Sequence, residues 1–187
     1  QEKHSEIPDV VVTLGSGIVA RGVKLGHFAA NVWARGGEEG TVHELFVGGE
    51  GLMLGAEAVM ATLLHEAGHA LAEARGIKDV SRNGRYHNAN FKAIAEEMGI
   101  EVHHGKDLGW SETTLPKDTA DSYEGAIFEL DLAITAYRAG ITLEPSTTGG
   151  TATPVAVPTR RGGRTNSNNG LSLRCGCNRR IRVSNAV

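Results

Sequence analysis

The chain has 187 residues, of which 40% are hydrophobic and 22% are charged, and its formal net charge is −3. These values are ordinary for a soluble globular protein and suffice for one domain with a core. The composition excludes a membrane span, because the most apolar stretch, residues 52–72, carries two glutamates and two histidines.

The N-terminal third is predicted to be β-structure. The β-branched run Val10–Ser16 is typical of a short strand. Two further stretches alternate loosely in hydrophobicity and flank a glycine-rich turn, which is typical of a hairpin. We predict that Lys24–Ala34 and Thr41–Val47 pair as antiparallel strands.

A long helix is predicted from Ala56 to Arg75. Ala, Leu, Met and Glu dominate this stretch, and all four residue types favour helix. Gly76 follows as a natural stop. Apolar residues recur at three- and four-residue steps, namely Ala56, Val59, Met60, Leu63, Ala67, Ala70, Leu71 and Ala74.

Two further helices are predicted after a polar loop over Asp79–His87. Asn88–Gly99 is typical of a short helix, with Asn88 as its N-cap and Gly99 as its stop. Asp118–Arg138 is predicted to form the other helix. Its apolar side comprises Ala126, Ile127, Leu130, Ile134 and Tyr137.

The C-terminal region differs in composition and charge. Residues 140–170 are rich in Pro, Gly, Ser, Thr and Asn, have almost nothing to bury, and are predicted to be a disordered linker. Strand-like alternation returns in residues 171–187. Residues 160–187 contain seven arginines and no acidic residue, whereas residues 1–159 contain 22 acidic and 12 basic residues. This basic end is typical of a solvated tail, and alternatively favours weak attraction to DNA or another polyanion.

The candidate chemistry lies in the middle of the long helix, at His65-Glu66-Ala67-Gly68-His69. Positions i and i+4 share a helix face, so both imidazoles can bind one Zn²⁺ at about 2.0–2.1 Å. Glu66 lies one step around the helix, where a carboxylate can act as general base toward zinc-activated water. The alternative is a chance pattern with two ordinary histidines. We favour the metal site because two unpartnered histidines beside an apolar face are costly to bury.

A catalytic zinc site needs a third protein ligand. The metzincin pattern, which would supply it from the same motif, is absent. Glu73 shares one straight helix with His69 and cannot easily complete a tetrahedron. The residue types leave the choice open among Glu96, Glu97 and His87, of which the glutamates would make a His₂Glu site.

The segments LLHEAGHA and GRYHNANF together resemble the SprT-like zinc metalloprotease family, which includes bacterial SprT-like and Spartan-like proteins. In that family HExxH is followed, after a loop of similar length, by a third histidine just ahead of a helix that contains an aromatic residue. The resemblance covers about Lys24 to Met98 and implies a minimal zincin-like fold with peptidase activity. It implies that Glu66 is the catalytic glutamate and that the zinc ligands are His65, His69 and His87.

The segment LRCGCNRRIRVS adds a further resemblance. Many SprT-like proteins end in a zinc ribbon whose first cysteine pair precedes a basic, strand-like stretch, and Cys175 and Cys177 occupy that position. A structural zinc site needs four ligands, and no second cysteine pair precedes Val187. The resemblance therefore implies a partial second zinc site; the alternative is two reduced surface cysteines. With so few cysteines and no visible signal peptide, we expect a cytoplasmic protein.

The sequence thus predicts an α+β protein: a minimal zincin-like domain with a small antiparallel sheet packed on the HExxH helix, then a flexible linker and a partial zinc-ribbon-like tail. The predicted boundaries are 1–139 for the SprT-like metallopeptidase domain, 140–170 for the linker and 171–187 for the truncated basic segment. We predict a zinc metalloendopeptidase that acts on proteins or peptides, without a membrane partner. The family resemblance and the basic tail favour DNA-associated proteins as substrates, whereas the acidic body favours a peptidase with no nucleic-acid role. The alternative is a non-catalytic zinc-containing adaptor for DNA or transcription machinery. Glu66 argues against the adaptor, because a purely structural site needs no base.

Overall fold

The computed structural model of the protein describes residues 3–19, 22–37, 39–140, 142–143, 154–155, 171–174 and 180–183. The chain divides into two compact units, Gln1–Val157 and Pro158–Val187. The described part combines helices with small β-sheets, in agreement with the predicted α+β class. None of its helices is long and apolar enough to cross a membrane.

Among the described residues, five strands precede the long helix. They are β1 (Val10–Gly15), β2 (Ile18–Val19), β3 (Gly22–Val23), β4 (Gly26–Ala34) and β5 (Thr41–Gly48). Strands β1, β5 and β4 form one sheet in that order, and β2 pairs with β3. The predicted antiparallel pairing of β4 with β5 is confirmed, with Phe28 opposite Leu45.

Strand β1 pairs with β5 in parallel, with Val12 opposite Leu45, so the prediction of an antiparallel sheet is wrong for this strand. The chain leaves β1 through the β2–β3 pair, returns along β4 and reverses again into β5. Strand β5 then lies between the other two and points in the same direction as β1. Alternating hydrophobicity marks the strands but does not encode their order, so the sequence pattern could not reveal the parallel pair.

A 3-10 turn over Gly51–Leu54 leads into helix α1, Ala56–Ala74, which confirms the predicted long helix. Gly76 has a φ of 62°, the left-handed conformation that commonly follows a helix end. The helix packs on β4 at Gly26. A Cβ atom at this glycine would lie 2.7 Å from the side chain of Thr62 and 3.0 Å from that of Glu66. Only glycine allows this close approach.

Residues 79–87, predicted to be a polar loop, instead contain two short antiparallel strands, β6 (Val80–Ser81) and β7 (Tyr86–His87). The turn between them includes two non-glycine residues at positive φ, Arg82 and Asn83. Strands of two residues are too short to show alternation, so the sequence pattern does not reveal this hairpin.

Helix α2, Ala89–Glu97, confirms the predicted short helix. The side-chain oxygen of Asn88 accepts hydrogen bonds from the backbone N–H groups of Asn90, at 2.8 Å, and Phe91, at 3.3 Å. This is the N-cap that the sequence predicted. Gly99, with a φ of 86°, follows the end of the helix. The cap fixes where α2 begins, directly after β7.

A second sheet packs next to these helices. Strands β8 (Glu101–Gly105) and β9 (Gly109–Thr114) form an antiparallel hairpin that the sequence did not predict. They join the earlier hairpin in the order β6-β7-β9-β8, and β7 runs parallel to β9. His87 lies opposite Gly109 in this pairing, so the second sheet positions the histidine that precedes α2.

Two helices, α3 (Lys117–Ser122) and α4 (Glu124–Ala133), replace the single helix predicted for this region. Beyond α4, the backbone N–H of Arg138 donates to the carbonyl of Gly49 at 2.9 Å. Its Nε donates to the fully buried carboxylate of Glu50 at 3.1 Å. These contacts attach the segment after α4 to the turn that follows β5, where the sequence had predicted that the helix continues.

The main core lies between α1, α2 and the second sheet. Ile127 and Leu130, on the predicted apolar side of the last helix, pack against this core, whereas Ala126 and Tyr137 are exposed. The most deeply buried hydrophobic side chains of the core are Leu71, Ala72, Phe91, Ala95 and Ile100.

A smaller cluster is centred on Val23 and Leu143, which are 2% and 3% exposed. Leu143 falls within the predicted linker, where Thr142–Leu143 (β10) pairs with Pro154–Val155 (β11). Most of the rest of that predicted linker lies outside the described residues. The first unit therefore includes a buried leucine beyond residue 139, in a stretch whose composition otherwise offers little to bury.

In the C-terminal unit, β12 (Leu171–Arg174) and β13 (Arg180–Val183) pair antiparallel. This confirms the predicted return of strand structure. Cys175 and Cys177, predicted as a partial zinc site, lie outside the described residues.

Substitution of Leu71 by alanine tests the core. Leu71 is fully buried, so the shorter side chain leaves a cavity, and we expect the free energy of unfolding to fall by about 2–5 kcal/mol. Leu132→Ala, at a position that is 65% exposed, is the matched control and should change stability by less than about 0.5 kcal/mol. Urea denaturation measures both. Equal reductions in the two variants would contradict the packing described here.

Candidate metal centre

Two elements carry three histidines that converge on one point. His65 and His69 lie one turn apart on α1, and His87 ends β7. The Nε2 atom of His87 lies 3.3 Å from Nε2 of His65 and 3.2 Å from Nε2 of His69. Ligand atoms of all three residues lie within 4.8 Å of one another. In the part of the chain that the structure describes, no other group of three His, Cys, Asp or Glu side chains meets that condition.

These separations agree with the geometry of a tetrahedral zinc site. Nitrogens that each lie about 2.0–2.1 Å from one tetrahedral zinc ion are separated from each other by about 3.3–3.4 Å. The structure therefore brings together the three residues predicted as metal ligands, and together they could hold a metal ion. Imidazole nitrogens suit zinc and several other transition metals.

The other candidates for the third ligand pair with cations elsewhere. Glu96 lies 2.8 Å from the amine of Lys92. Glu97 accepts two hydrogen bonds from Arg75, at 2.7 and 2.8 Å. His87 is thus the residue that completes the cluster, as the resemblance implied.

Each of the three histidines has a partner at Nδ1, on the far side of its ring. In chain order, the partners are the Thr113 hydroxyl at 3.4 Å, the Asp79 carboxylate at 2.5 Å and the Leu108 carbonyl at 3.3 Å. A carboxylate and a carbonyl only accept hydrogen bonds, so Nδ1 of His69 and of His87 carries the proton. The Nε2 atoms of His69 and His87, which face each other, then keep their lone pairs for a metal.

The surroundings of His65 and His87 also favour the neutral ring. Burial, and then the charges of His69 and His87, holds the pKa of His65 well below its ordinary value. Burial likewise lowers the pKa of His87 to about 4. Metal binding requires the neutral imidazole, so the environment favours the form that binds.

Phe91 of α2 packs against the rings of all three histidines. Its side chain is fully buried. The centre of its ring lies 4.7 Å from that of His65, 4.6 Å from that of His69 and 4.5 Å from that of His87. A single core residue therefore restricts the orientation of all three candidate ligands.

Glu66 is turned toward the first sheet. Its side chain lies against Gly26 of β4, accepts a hydrogen bond from the backbone N–H of Phe28, and is only 6% exposed. Burial raises the pKa of Glu66 to about 7, although the charge of His69 and the Phe28 hydrogen bond oppose the shift. The predicted base thus lies on the flank of α1 beside the candidate ligands, in a place with little water.

Sequence reasoning missed the groups that contact the Nδ1 atoms of the histidines. Asp79 falls in a predicted loop, and its position ten residues after His69 follows no fixed spacing that a pattern could recognise. Thr113 lies in a hairpin that was not predicted. Leu108 acts through its backbone carbonyl, which the residue type does not encode.

Comparisons of the chain with protein-family models, with curated proteins and with solved structures found no match. The resemblance to SprT-like proteins therefore rests on the motif residues.

Zinc titration of the His87→Ala variant tests the three-histidine centre. Both cysteines should first be replaced by serine, so that any zinc counted belongs to the histidines. We expect one zinc ion per parent chain. In His87→Ala we expect binding to weaken by more than about 100-fold, because loss of a group that merely orients a ligand already costs about 10–100-fold.

The matched control is His103→Ala, which removes an exposed histidine of β8 and should leave zinc binding unchanged. Undiminished binding in His87→Ala would show that another residue supplies the third ligand. If the parent binds no zinc, the histidines do not form a zinc centre and have only a structural role.

Proposed function

We propose that the protein is a zinc-dependent peptidase with a zincin-like, SprT-like domain. The observation that carries this proposal is the convergence of three imidazoles, in which Nε2 of His87 lies 3.3 and 3.2 Å from the Nε2 atoms of His65 and His69. The next residue of the same helix, Glu66, carries a buried carboxylate. His65, His69 and His87 would hold the ion. Three protein ligands leave one tetrahedral position for water or substrate, which is the arrangement of catalytic rather than structural zinc sites.

The chemistry of peptide hydrolysis assigns a role to Glu66. Bound zinc supplies Lewis acidity, which polarises a carbonyl oxygen and acidifies water. Glu66 accepts a proton from water as the water oxygen bonds to the carbonyl carbon of the peptide. It then donates that proton to the amide nitrogen as the carbon–nitrogen bond breaks. The products are a carboxylic acid and an amine, and Glu66 returns to its starting state.

The position of β4 supports a peptide as substrate. Within the described sheet β4 is an edge strand, since its only partner there is β5. Glu66 contacts this strand at Gly26 and Phe28. An extended peptide can pair with the open edge of such a strand through backbone hydrogen bonds. Substrate paired in this way would lie next to the proposed base.

The Glu66→Gln variant separates catalysis from metal binding. Glutamine retains the shape of the side chain but cannot accept the proton, so we expect hydrolysis of quenched fluorescent casein to fall by about 10²–10⁴-fold. Zinc content should equal that of the parent. Glu73→Gln, at an exposed position on the same helix, is the control and should retain full activity.

The same assay distinguishes the alternative of a non-catalytic adaptor. Equal hydrolysis by the parent and Glu66→Gln would contradict the assigned base. A zinc-loaded parent that cleaves no peptide or protein substrate would favour the adaptor over the peptidase.

The arginine-rich end of the chain supports a second element of the proposal, contact with DNA, which would direct the peptidase to DNA-associated proteins. Seven arginines and no acidic residue occupy residues 160–187. Within the hairpin of β12 and β13, Arg174 pairs with Arg180, and Ser172 pairs with Arg182. Such a concentration of arginines suits the phosphate backbone of nucleic acid.

Salt-dependent DNA binding tests this contact in the full chain. We expect affinity for duplex DNA to fall as salt rises, because binding releases counterions from the phosphates. A triple variant, Arg174→Ser with Arg180→Ser and Arg182→Ser, should bind more weakly, and its salt slope should be lower by about one for each of these arginines that binds a phosphate. Arg35→Ser, at an exposed position in the first unit, is the control. Binding that is insensitive to salt would contradict an interaction with the DNA backbone.

A further inference from the structure

Asp79 is a buried acidic residue in the connection between α1 and β6. It is only 8% exposed, and its carboxylate accepts a hydrogen bond from Nδ1 of His69 at 2.5 Å. We propose that Asp79 is the positioning residue of the metal centre: it fixes the tautomer and orientation of His69 and ties His69 to the hairpin that carries His87. This inference rests on the proposed metal centre and adds to it a residue with no other assigned role.

The partner of His69 differs in kind from the partners of the other two histidines. A carbonyl and a hydroxyl, at 3.3 and 3.4 Å, are neutral and more distant, whereas Asp79 offers a carboxylate at 2.5 Å. Hydrogen bonds to ionised groups are shorter and about twice as strong as neutral ones. Asp79 therefore restrains the ring of His69 more strongly than either neutral partner restrains its own histidine.

The backbone around Asp79 is anchored to the start of α2. The carbonyl of Asp79 accepts a hydrogen bond from the backbone N–H of Asn88 at 2.9 Å. The side-chain amides of Asn88 and Asn90 both donate to the carbonyl of Lys78, each at 2.9 Å. The segment that carries Asp79 is thus fastened to the N-cap of α2.

The same segment also continues into the strand that pairs with His87. Val80, next to Asp79, lies opposite His87 in the pairing of β6 with β7. Asp79 therefore contacts His69 through its side chain, while its backbone is held beside His87. Through this one residue, the spacing between a ligand on α1 and the ligand on β7 is fixed from outside the cluster.

The burial of the Asp79 carboxylate also supports a ligand-orienting role. A buried carboxylate destabilises a fold unless it is paired and hydrogen-bonded. Among the residues that the structure describes, the ion pair of Asp79 is with His69. A carboxylate that orients a histidine also raises the basicity of that ligand and so strengthens its bond to a metal.

The test measures zinc affinity by competition with a chromophoric chelator, in the full chain with both cysteines replaced by serine. For Asp79→Ala we expect zinc binding about 10–100-fold weaker than in the parent, together with a changed visible spectrum of the Co²⁺-loaded protein. Asp79→Asn keeps an acceptor oxygen but loses the charge, so its affinity should fall between those of the parent and Asp79→Ala.

The matched control is Glu50→Gln, which alters a different buried carboxylate whose hydrogen bonds are with Ser16, Gly17 and Arg138 and not with the histidines. It should lower the midpoint of urea denaturation but retain the zinc affinity and Co²⁺ spectrum of the parent. If Asp79→Ala does not fold, the comparison of Asp79→Asn with Glu50→Gln decides the question. Weaker zinc binding in Asp79→Asn alone supports the positioning role.

In the contrary outcome, the Asp79 variants lose stability but keep the zinc affinity and the Co²⁺ spectrum of the parent. That result would overturn the positioning role of Asp79 and leave the metal centre intact. Absence of zinc from the parent would overturn the proposed centre itself and the role of Asp79 with it. The two failures are therefore distinguishable in one set of titrations.

Discussion

The metal centre depends on one interaction, the packing of Phe91 of α2 against α1. Its ring contacts all three histidine rings, two of which come from α1 and one from the end of β7. Burial of a phenylalanine side chain contributes about 1.5–3 kcal/mol to stability. The residue that helps dock α2 on α1 therefore also determines where the candidate ligands meet. The packing of Phe91 therefore contributes both to the core and to the geometry of the site.

Helix α1 links this core to the first sheet, and the proposed chemistry depends on both sides of the helix. His65 and His69 face the second sheet and α2, whereas Glu66 lies against β4 at Gly26. Because Gly26 has no side chain, β4 can lie close enough to α1 for contact with Glu66. In the proposed peptidase, the metal ligands lie on one side of the helix, and the base lies next to the strand that would pair with substrate. The reaction would take place where the two sheets approach the same helix.

Local sequence signals predicted the elements that carry the motif. The three- and four-residue spacing of apolar residues predicted α1, and Asn88 and Gly99 marked the ends of α2, because caps and stops act through nearby backbone groups. The HEAGH pattern and the family resemblance together predicted all three residues of the histidine cluster.

Features that depend on distant contacts could not be predicted in this way. The parallel direction of β1 follows from strand order, and the segment beyond the early end of α4 is bonded through Arg138 to the turn after β5. The hairpin of β6 and β7 is too short to show a period, so the position of Asp79 beside it could not be predicted either. Residues that orient a ligand are selected by position in space, and the sequence around them carries no fixed spacing.

X-ray absorption at the zinc edge of the zinc-loaded full chain, with its cysteines intact, tests the central claim most directly. The proposed centre predicts nitrogen and oxygen donors at about 2.0–2.1 Å, with the outer scattering of three imidazole rings. Sulfur donors at about 2.3 Å, without the imidazole pattern, would place the zinc at Cys175 and Cys177 and contradict the histidine centre.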